Sequence, residues 1–411
     1  MATTYQRIVH IPPGIRFGCS GCGNCCHMWP VPLTAEDSKR LQDAIVSQSF
    51  GFQESSSLRA FNSQDERHAA FTHTLEKRAD GKCQFLTEGN RCRLHEAAGA
   101  QAKPSMCQLF PYTFTQTPGG VYSSLSFAST GVLYNSGDLL SEQRQTIEDM
   151  WRLYSRLFGE IRPDWENLQL IDGVPLKWPA FAELENEMLR IVETPAEVGA
   201  DGLPVEQRLL RCSAHLIKQL PGGVTAERTP PLEARPKIID QLLLKALNVL
   251  YLPDDVFASN QTAFNARQLL ESIVAAPDMV TIAHAGKERR FQDAFGQKLT
   301  DVPPEVEALL HRFIYCRLFS KQYFGPTMGY LSLLAGLHHL LVLMVLLKLR
   351  LKLQLASREA VTFDYAAELL RTAERRLTQL SFPRESVAVL EVMLTSPSRV
   401  ERLVGLLRRR A

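Results

Sequence analysis

The sequence lacks a strong excess of charge of either sign. Its 46 Lys and Arg residues nearly balance 44 Asp and Glu residues, which gives a formal net charge of +2. Domains that bind nucleic acid or acidic membrane surfaces usually carry a large basic surplus. We therefore expect no nucleic-acid partner, and we interpret the terminal run Arg408–Arg410 as a solvated tail.

The first residues lack an export signal, because they contain neither an apolar core nor a small-residue cleavage site. A protein that is not exported stays in a reducing compartment, where structural disulfides are rare. This predicts a cytoplasmic location. It also makes metal ligation, rather than a disulfide framework, the expected use of any clustered cysteines.

One uncharged apolar run is long enough to cross a membrane. It spans residues 327–347, which is 21 residues. His338 and His339 lie near its middle, where polar groups are costly in a bilayer. Apolar residues also continue at regular spacing past Lys348. These features favour a central buried helix of an all-α domain over a membrane span.

The familiar sequence signatures of catalysis are missing. There is no strand-loop-helix Gly-x-Gly signature with a following acidic residue for an adenosyl cofactor, no phosphate-binding loop, no Gly-x-Ser-x-Gly elbow and no His-Glu-x2-His. His338 and His339 are adjacent and do not share a helix face, so we interpret them as a core feature. Glu183, Glu185 and Glu187 fit a solvated helix face. The sequence therefore identifies no catalytic residue.

Cysteine is the abundant reactive residue, and it is concentrated at one end of the chain. Seven of the nine cysteines lie in the first 107 residues: Cys19, Cys22, Cys25, Cys26, Cys83, Cys92 and Cys107. Thiolates bind Zn²⁺ and iron–sulfur clusters strongly. All seven are therefore candidate metal ligands, whereas Cys212 and Cys316 lie in apolar helical surroundings typical of buried thiols.

The spacing Cys19-x2-Cys22-x2-Cys25 offers three ligands at the interval of ferredoxin-type loops. Cys26 is a poorer candidate for the same metal, because adjacent side chains usually diverge. The fourth ligand is expected from the three later cysteines. Seven thiols exceed the four that one zinc or one [4Fe–4S] cluster needs, so a second site or a redox role stays open. The extra histidines that could ligate, or equally lie on the surface, are His10, His27 and His95.

The predicted fold class is α+β and mainly α. A small, loop-rich cysteine domain (1–135) with short β-hairpins at 82–94 and 110–127 precedes a helical region (136–220) and an all-α C-terminal region (221–411). A capping box at Thr34–Asp37 predicts a helix to about residue 45. The further predicted helices span 141–157, 180–192, 205–219, 232–251, 263–275, 304–321, 327–355, 362–380, 385–394 and 399–409.

Several spaced motifs resemble the YkgJ-type cysteine-cluster family, which is described as a zinc- or iron-chelating domain. The opening is Phe17-Gly-Cys19-x2-Cys22-x2-Cys25-Cys26, followed by Lys82-Cys83-Gln-Phe-Leu86, Arg91-Cys92-Arg-Leu94 and Lys103-Pro104-x2-Cys107-Gln-Leu-Phe110-Pro111. The chain departs from the family at Lys103 and Gln108, where arginine is usual, and at His95, where tyrosine is usual. Many relatives carry a further cysteine that 127–131 lacks. The resemblance implies a bound zinc or an iron–sulfur cluster.

The whole-chain architecture is similar to that of FliB-type flagellin lysine N-methylases. That likeness rests on length, on the helical tail and on features such as 312–319. It implies S-adenosylmethionine as cofactor and a protein substrate. Three hypotheses follow: a metal-binding protein with cysteine-ligated zinc or iron–sulfur, a protein lysine N-methyltransferase, and a thiol redox sensor or metal-delivery protein.

Overall fold

The computed structural model describes residues 8–27, 30–48, 58–61, 68–159, 163–195, 203–221, 237–253, 271, 279–282, 287–299, 302–379 and 384–407. The chain divides into two compact units. The first comprises Met1–Gln116 with Gly120–Arg162, and the second comprises Thr117–Gly119 with Pro163–Ala411. The domain boundaries at 135 and 220 stay predictions.

The first unit is built from short elements. Two three-stranded sheets have the orders β1-β7-β6 and β3-β5-β4, and β2 pairs with β8. The strands are β1 Val9–His10, β2 Arg16–Phe17, β3 Val31–Thr34, β4 Leu58–Ala60, β5 Phe71–Leu75, β6 Tyr112–Thr117, β7 Gly120–Leu125 and β8 Asp138–Leu139. The helices are α1 Ala35–Gln48, α2 Arg93–Ala98, α3 Ser105–Leu109, α4 Thr130–Leu133 and α5 Arg144–Phe158.

The predicted capping box starts α1. The backbone N–H of Asp37 donates to Thr34 Oγ1 at 3.0 Å, and the backbone N–H of Thr34 donates to Asp37 Oδ2 at 3.1 Å. Two amides that the first turn leaves without helical partners are thereby satisfied. Aspartate thus serves in place of the usual glutamate or glutamine, and the prediction of this helix start is confirmed.

The two predicted hairpins have different outcomes. Strands β6 and β7 are hydrogen-bonded neighbours, so the hairpin at 110–127 is confirmed. The hairpin at 82–94 is wrong in its second half, because α2 begins at Arg93 and only one isolated bridge, between Leu86 and Cys92, spans the turn. The segment Arg93–Ala98 contains alanine and glutamate, which favour helix over strand.

The second unit is helical, so the prediction of an α+β, mainly α fold is confirmed. Its two short strand pairs are β9 Gln169–Ile171 with β10 Val174–Pro175, and β11 Met279–Ile282 with β12 Lys287–Arg290. The helices are α6 Trp178–Val192, α7 Val205–Ile217, α8 Ile238–Tyr251, α9 Pro304–Phe319, α10 Leu333–Ala356, α11 Phe363–Gln379, α12 Arg384–Leu394 and α13 Pro397–Gly405. The helix predicted over 263–275 lies outside the described residues.

Helix α10 forms the centre of the second unit. In the described part of the chain it is the one helix long and apolar enough to cross a membrane, and its most apolar stretch is fully buried. Its cation Lys348 is also buried, and Nζ lies 2.6 Å from Glu206 and 2.7 Å from Glu307. A helix that is apolar all round belongs in a core when other helices cover it. The prediction of a buried helix in this run is confirmed.

The histidine pair of α10 is satisfied within the core, as predicted. Nδ1 of His338 donates to the carbonyl of Leu394 at 2.6 Å, so its Nε2 accepts from Ser213 Oγ at 2.7 Å. His339 Nε2 lies 2.6 Å from the hydroxyl of Tyr251. Burial lowers the pKa of both imidazoles to about 4, so both are neutral at pH 7.

One predicted surface residue is buried. Glu183 is exposed, but Glu185 is only 5% exposed, so the interpretation of Glu183, Glu185 and Glu187 as a solvated face is wrong for Glu185. It lies on the same side of α6 as the buried Phe181 and Met188.

The two thiols predicted to be buried, Cys212 and Cys316, are buried.

Candidate metal centre

The base of the cysteine loop is held by direct backbone contact. A Cβ on Gly131 would lie 2.3 Å from the carbonyl oxygen of Gly18, and a Cβ on Gly137 would lie 2.6 Å from the nitrogen of Gly18. Ser136 Oγ also donates to the Gly18 carbonyl at 3.3 Å. Glycine is therefore required at 131 and 137, where no side chain could be accommodated. These contacts fix where the thiol-bearing loop begins.

The end of the loop turns tightly at Gly23. This residue has φ 74°, in the left-handed region that favours glycine, and it precedes a 3-10 turn over Asn24–Cys26. The Cys26 amide donates to the carbonyl of Gly23 at 2.9 Å. A Cβ on Gly23 would lie 3.1 Å from Asn90, so the loop packs closely against the turn at 87–91. Residue 90 immediately precedes the segment that carries Cys92.

Cys83 is placed beside this loop by the backbone. The Cys83 amide donates to the carbonyl of Cys26 at 3.0 Å, and isolated bridges join His27 to Lys82 and Lys77 to Cys83. The Lys77 ammonium also donates to the Cys26 carbonyl at 3.4 Å. Residues 57 positions apart in the chain are therefore adjacent in space.

Cys92 and Cys107 lie at the starts of two short helices. Cys92 precedes α2 as its N-cap residue, and Cys107 lies within α3, where its amide donates to the carbonyl of Pro104 at 2.8 Å. Together with Cys83, both pack against the apolar cluster that includes Phe85 and Leu94. The three thiols therefore share one apolar cluster as their packing partner.

Asp37 ties α3 to α1, and sequence reasoning missed this role. Its Oδ1 accepts from the Ser105 amide at 3.0 Å and from Ser105 Oγ at 2.8 Å. Arg40 pairs with the same carboxylate and donates to the Lys103 carbonyl at 3.2 Å. The capping box marked Asp37 as structural, but nothing local indicated its distant partner.

Charge on one cysteine raises the pKa of other cysteines in this region. A thiolate at Cys26 raises the pKa of Cys83, Cys92 and Cys107, and Cys83 and Cys92 each raise the pKa of Cys107. Such effects require short separations in a poorly solvated place. Cys26, Cys83, Cys92 and Cys107 are therefore gathered into one group, which we call the four-thiol group.

Burial is the main reason why the pKa of three of these thiols is raised. Desolvation raises the pKa of Cys83, Cys92 and Cys107, while for Cys26 the contact with Cys25 is the larger cause. Other groups lower the pKa of these thiols. Hydrogen bonding from the backbone amides of His95 and Leu94 lowers the pKa of Cys92.

Two lysines also favour the charged form of the four-thiol group. Lys77 lowers the pKa of Cys26, Cys83 and Cys107, and Lys103 lowers the pKa of Cys26 and Cys92. Each of the four thiols therefore lies within the field of at least one ammonium group. Sequence reasoning noted Lys103 only as a departure from a motif, and it did not single out Lys77.

The remaining candidate ligands are arranged differently. Cys19 is exposed, Cys22 and Cys25 are partly exposed, and Cys25 Sγ lies 3.9 Å from Cys26 Sγ. The primary triad of Cys19, Cys22 and Cys25, with Cys26 apart, stays a prediction, and Cys26 also lies within electrostatic reach of Cys83, Cys92 and Cys107. His95 is exposed on α2, and His10 stacks on Tyr122.

The group is not a closed coordination shell as it stands. Across the ranges that the structure describes, no three His, Cys, Asp or Glu side chains are close enough together to hold a metal ion. Backbone hydrogen bonds and bridges nevertheless join the segments of Cys26, Cys83 and Cys92, and Cys107 packs against the same apolar cluster as Cys83 and Cys92.

Comparison with known proteins supports this part of the chain as a metal-binding domain. Residues 18–129 match the CxxCxxCC family, described as a "Putative zinc- or iron-chelating domain". The matched segment contains all seven cysteines of the first 107 residues and covers about a quarter of the chain. No curated protein and no solved structure shows significant similarity to the chain.

Proposed function

We propose that this protein binds zinc or an iron–sulfur cluster in its first unit, with Cys26, Cys83, Cys92 and Cys107 as ligands. The observation that supports the proposal most directly is that a thiolate at Cys26 raises the pKa of Cys83, Cys92 and Cys107, all three of which pack against one apolar cluster. Four cysteine ligands are the usual number for a structural zinc ion and for a [4Fe–4S] cluster.

The chemistry of the donor set fits such a group. Buried thiols without a compensating cation stay protonated, whereas a bound metal cation supplies the positive charge that stabilises thiolates. Lys77 and Lys103 would offset part of the negative charge of a four-thiolate site. When bound, the metal would cross-link loop 19–27, the 82–92 turn and α3, which share only a small apolar core.

Cys19, Cys22 and Cys25 are proposed as ligands of a second position in the same loop. Seven thiols exceed the needs of one four-coordinate site, and among the seven Cys19 is exposed while the other six are partly exposed. The methyltransferase hypothesis, with S-adenosylmethionine and a protein substrate, gains no support from the comparisons or from the described residues. It stays a prediction, as do redox sensing and metal delivery.

The test is metal analysis of protein purified without oxygen. The full chain and single serine variants of Cys26, Cys83, Cys92 and Cys107 are measured by elemental mass spectrometry and visible absorption. We expect each variant to lose most of the bound metal, while the buried-thiol controls Cys212→Ser and Cys316→Ser retain it. A brown protein containing iron and sulfide indicates a cluster, and a colourless protein containing zinc indicates a structural ion.

Two results would count against the proposal in different ways. A folded full-length protein without bound zinc or iron contradicts metal binding altogether. Loss of all metal from Cys19→Ser, Cys22→Ser and Cys25→Ser, with full retention in Cys26→Ser, contradicts the assignment of the four-thiol group while leaving metal binding intact. Circular dichroism of every variant separates loss of ligand from loss of fold.

A further inference from the structure

Two adjacent cysteines of the loop have their sulfur atoms in contact. Cys25 Sγ lies 3.9 Å from Cys26 Sγ, within the turn over Asn24–Cys26. Side chains of neighbouring residues usually point apart, so this contact is a specific feature of the turn. Both residues are partly exposed, so a small oxidant in solution can reach them. The pair therefore has the proximity and the access that thiol oxidation requires.

Hydrogen bonds hold the chain on each side of this pair. The side-chain amide of Asn24 donates to Thr130 Oγ1 at 3.2 Å, and the Cys26 amide donates to the Gly23 carbonyl at 2.9 Å. The Cys26 carbonyl accepts from the Cys83 amide at 3.0 Å. The turn is thus held at both ends, which keeps the two thiols next to each other. The last of these bonds also joins the pair to the segment of Cys83, a proposed metal ligand.

A disulfide between adjacent residues is strained. Consecutive Cα atoms are about 3.8 Å apart, whereas the two Cα atoms of an ordinary disulfide are usually about 4.4–6.8 Å apart. Strained disulfides have higher reduction potentials than structural ones, so cellular thiols reduce them readily. Such a bond would form in the presence of an oxidant and would be reversed once the oxidant is gone. Adjacent cysteines are therefore suited to a reversible switch and unsuited to a permanent cross-link.

We propose that Cys25 and Cys26 form a redox switch for the metal centre, in which peroxide converts the two thiols into a disulfide and withdraws Cys26 from the four-thiol group. The effect on the metal rests on the proposed function, because Cys26 is one of the four assigned ligands. Metal binding and oxidation compete for the same sulfur atom. The oxidised protein would therefore keep at most three thiols of the group for the metal.

The oxidation balances with hydrogen peroxide as the only co-reactant. The Cys25 thiolate attacks one peroxide oxygen, the O–O bond breaks, and Cys25 becomes a sulfenic acid as hydroxide leaves. The Cys26 thiolate then attacks the Cys25 sulfur, which forms the S–S bond and expels a second hydroxide. The sulfur pair loses two electrons, the peroxide gains them, and the two thiol protons convert both hydroxides into water. Glutathione in excess reverses the reaction by thiol–disulfide exchange and is itself oxidised.

The first test uses the reduced, metal-free full chain and hydrogen peroxide, so it does not depend on the proposed function. Tandem mass spectrometry of tryptic peptides should find a disulfide that joins Cys25 to Cys26, and reduced glutathione should remove it. The buried thiols Cys212 and Cys316 are internal controls and should stay reduced. A disulfide that joins Cys26 to Cys83 instead, or a sulfenic acid without a disulfide, overturns the proposal.

The second test measures zinc release from the full chain loaded with zinc. Cys22→Ser is the background, because it removes the proposed second position and leaves both the pair and the four-thiol group intact. Peroxide should release zinc from this variant roughly tenfold faster than from the double variant Cys22→Ser/Cys25→Ser, and glutathione should restore binding. Circular dichroism checks that both variants keep the fold.

The failure of the switch and the failure of the proposed function give different results. Equal zinc release from the two variants overturns the switch and leaves metal binding intact. A full chain that takes up neither zinc nor iron overturns the proposed function and with it the effect on the metal. In that case the first test still decides whether Cys25 and Cys26 are a redox pair.

Discussion

Asp37 shows how one side chain can position a distant one. Its carboxylate caps α1, pairs with Arg40 and accepts two hydrogen bonds from Ser105, two residues before Cys107. It is only 1% exposed, so each of these bonds forms away from water. The start of α3, the helix that carries Cys107, is thus held by a residue 70 positions before that cysteine.

Asp37→Ala is expected to release the start of α3. The variant leaves the Ser105 amide and hydroxyl without their acceptor, at a cost of roughly 1–3 kcal/mol. Hydrogen–deuterium exchange of peptides covering 99–110 should therefore accelerate. Asp43→Ala, an exposed position on the same helix, is the control. Unchanged exchange at Ser105 in Asp37→Ala would show that this network does not hold α3.

Gly131→Ala is expected to displace the base of the cysteine loop. The added Cβ would lie 2.3 Å from the backbone oxygen of Gly18, and neither chain segment can yield by rotating a side chain. Overpacking of this kind costs about 1–3 kcal/mol. Thermal unfolding and bound metal should both decrease, whereas Gly89→Ala, whose nearest neighbour would be 3.8 Å away, should leave them unchanged. Equal behaviour of the two variants would contradict the close contact.

At the scale of elements, α10 organises the second unit and carries charge into its core. Lys348 is 1% exposed and contacts two carboxylates from different helices, Glu206 on α7 and Glu307 on α9. The pairing is specific because a shift of either neighbouring helix would leave a buried charge without its partner. This triad therefore favours one arrangement of α7, α9 and α10 over alternatives of equal apolar area.

Lys348→Met is expected to destabilise the second unit strongly. Methionine preserves most of the volume, but the variant leaves the Glu206 carboxylate buried without a cation, which costs about 3–5 kcal/mol. Urea unfolding followed by circular dichroism at the helix band measures the change. Arg190→Met, which removes the exposed pair with Glu187 on α6, should produce little change. If both variants unfold alike, the buried triad contributes no more than a surface pair.

At the scale of the whole molecule, acid should unfold the second unit through its buried histidines. His338 has a pKa near 6.5 in the unfolded chain and about 4 in the folded protein. Between these values the unfolded state binds a proton that the native state excludes. Stability from this group is therefore complete above pH 6.5 and is lost as the pH falls through 4, by up to about 1.4 kcal/mol per pH unit.

The contribution of His338 is isolated by comparing how steeply the free energy of unfolding changes with pH in the wild type and in variants. His338→Gln removes the titrating group, so the variant's free energy of unfolding should fall less steeply than that of the wild type between pH 6.5 and 4. His215→Gln, a partly exposed position on α7, should retain the wild-type slope. Because Glu185 titrates in the same range with the opposite sign, the difference between variants is the decisive measurement. If the free energies of unfolding of the wild type and His338→Gln fall in parallel with pH, His338 does not account for the loss of stability in acid.

Removal of the proposed metal should destabilise the first unit and leave the second unit unchanged. Every candidate thiol ligand belongs to the first unit, and metal binding contributes folding free energy where a core is small. A chelator is therefore expected to increase hydrogen–deuterium exchange in segments 19–27, 83–98 and 105–109, while α10 stays protected. Re-addition of zinc, or of iron and sulfide, should restore protection. Equal deprotection of α10 would show that the metal stabilises the chain as a whole.

Local patterns were sufficient for much of the fold. The Thr34–Asp37 capping box, the hairpin around Pro118 and the buried helix in 327–347 were predicted because their signals lie within one or two turns of chain. The same holds for the existence of the cysteine cluster, which composition alone reveals. The turn at 87–91 was only half predicted, because its second arm was taken to end at Leu94, whereas the residues that favour helix follow at 96–98.

By itself, then, the sequence determined the helical second unit, the seven candidate thiols and the match to a zinc- or iron-chelating domain. Only the tertiary structure decided that the segments of Cys26, Cys83 and Cys92 are joined by backbone hydrogen bonds, and that Glu185 lies inside, paired with Lys321. The physical reason is the distance along the chain over which each kind of interaction acts. Periodicity and capping act between residues a few positions apart, whereas thiol grouping and charge pairing depend on how distant segments pack.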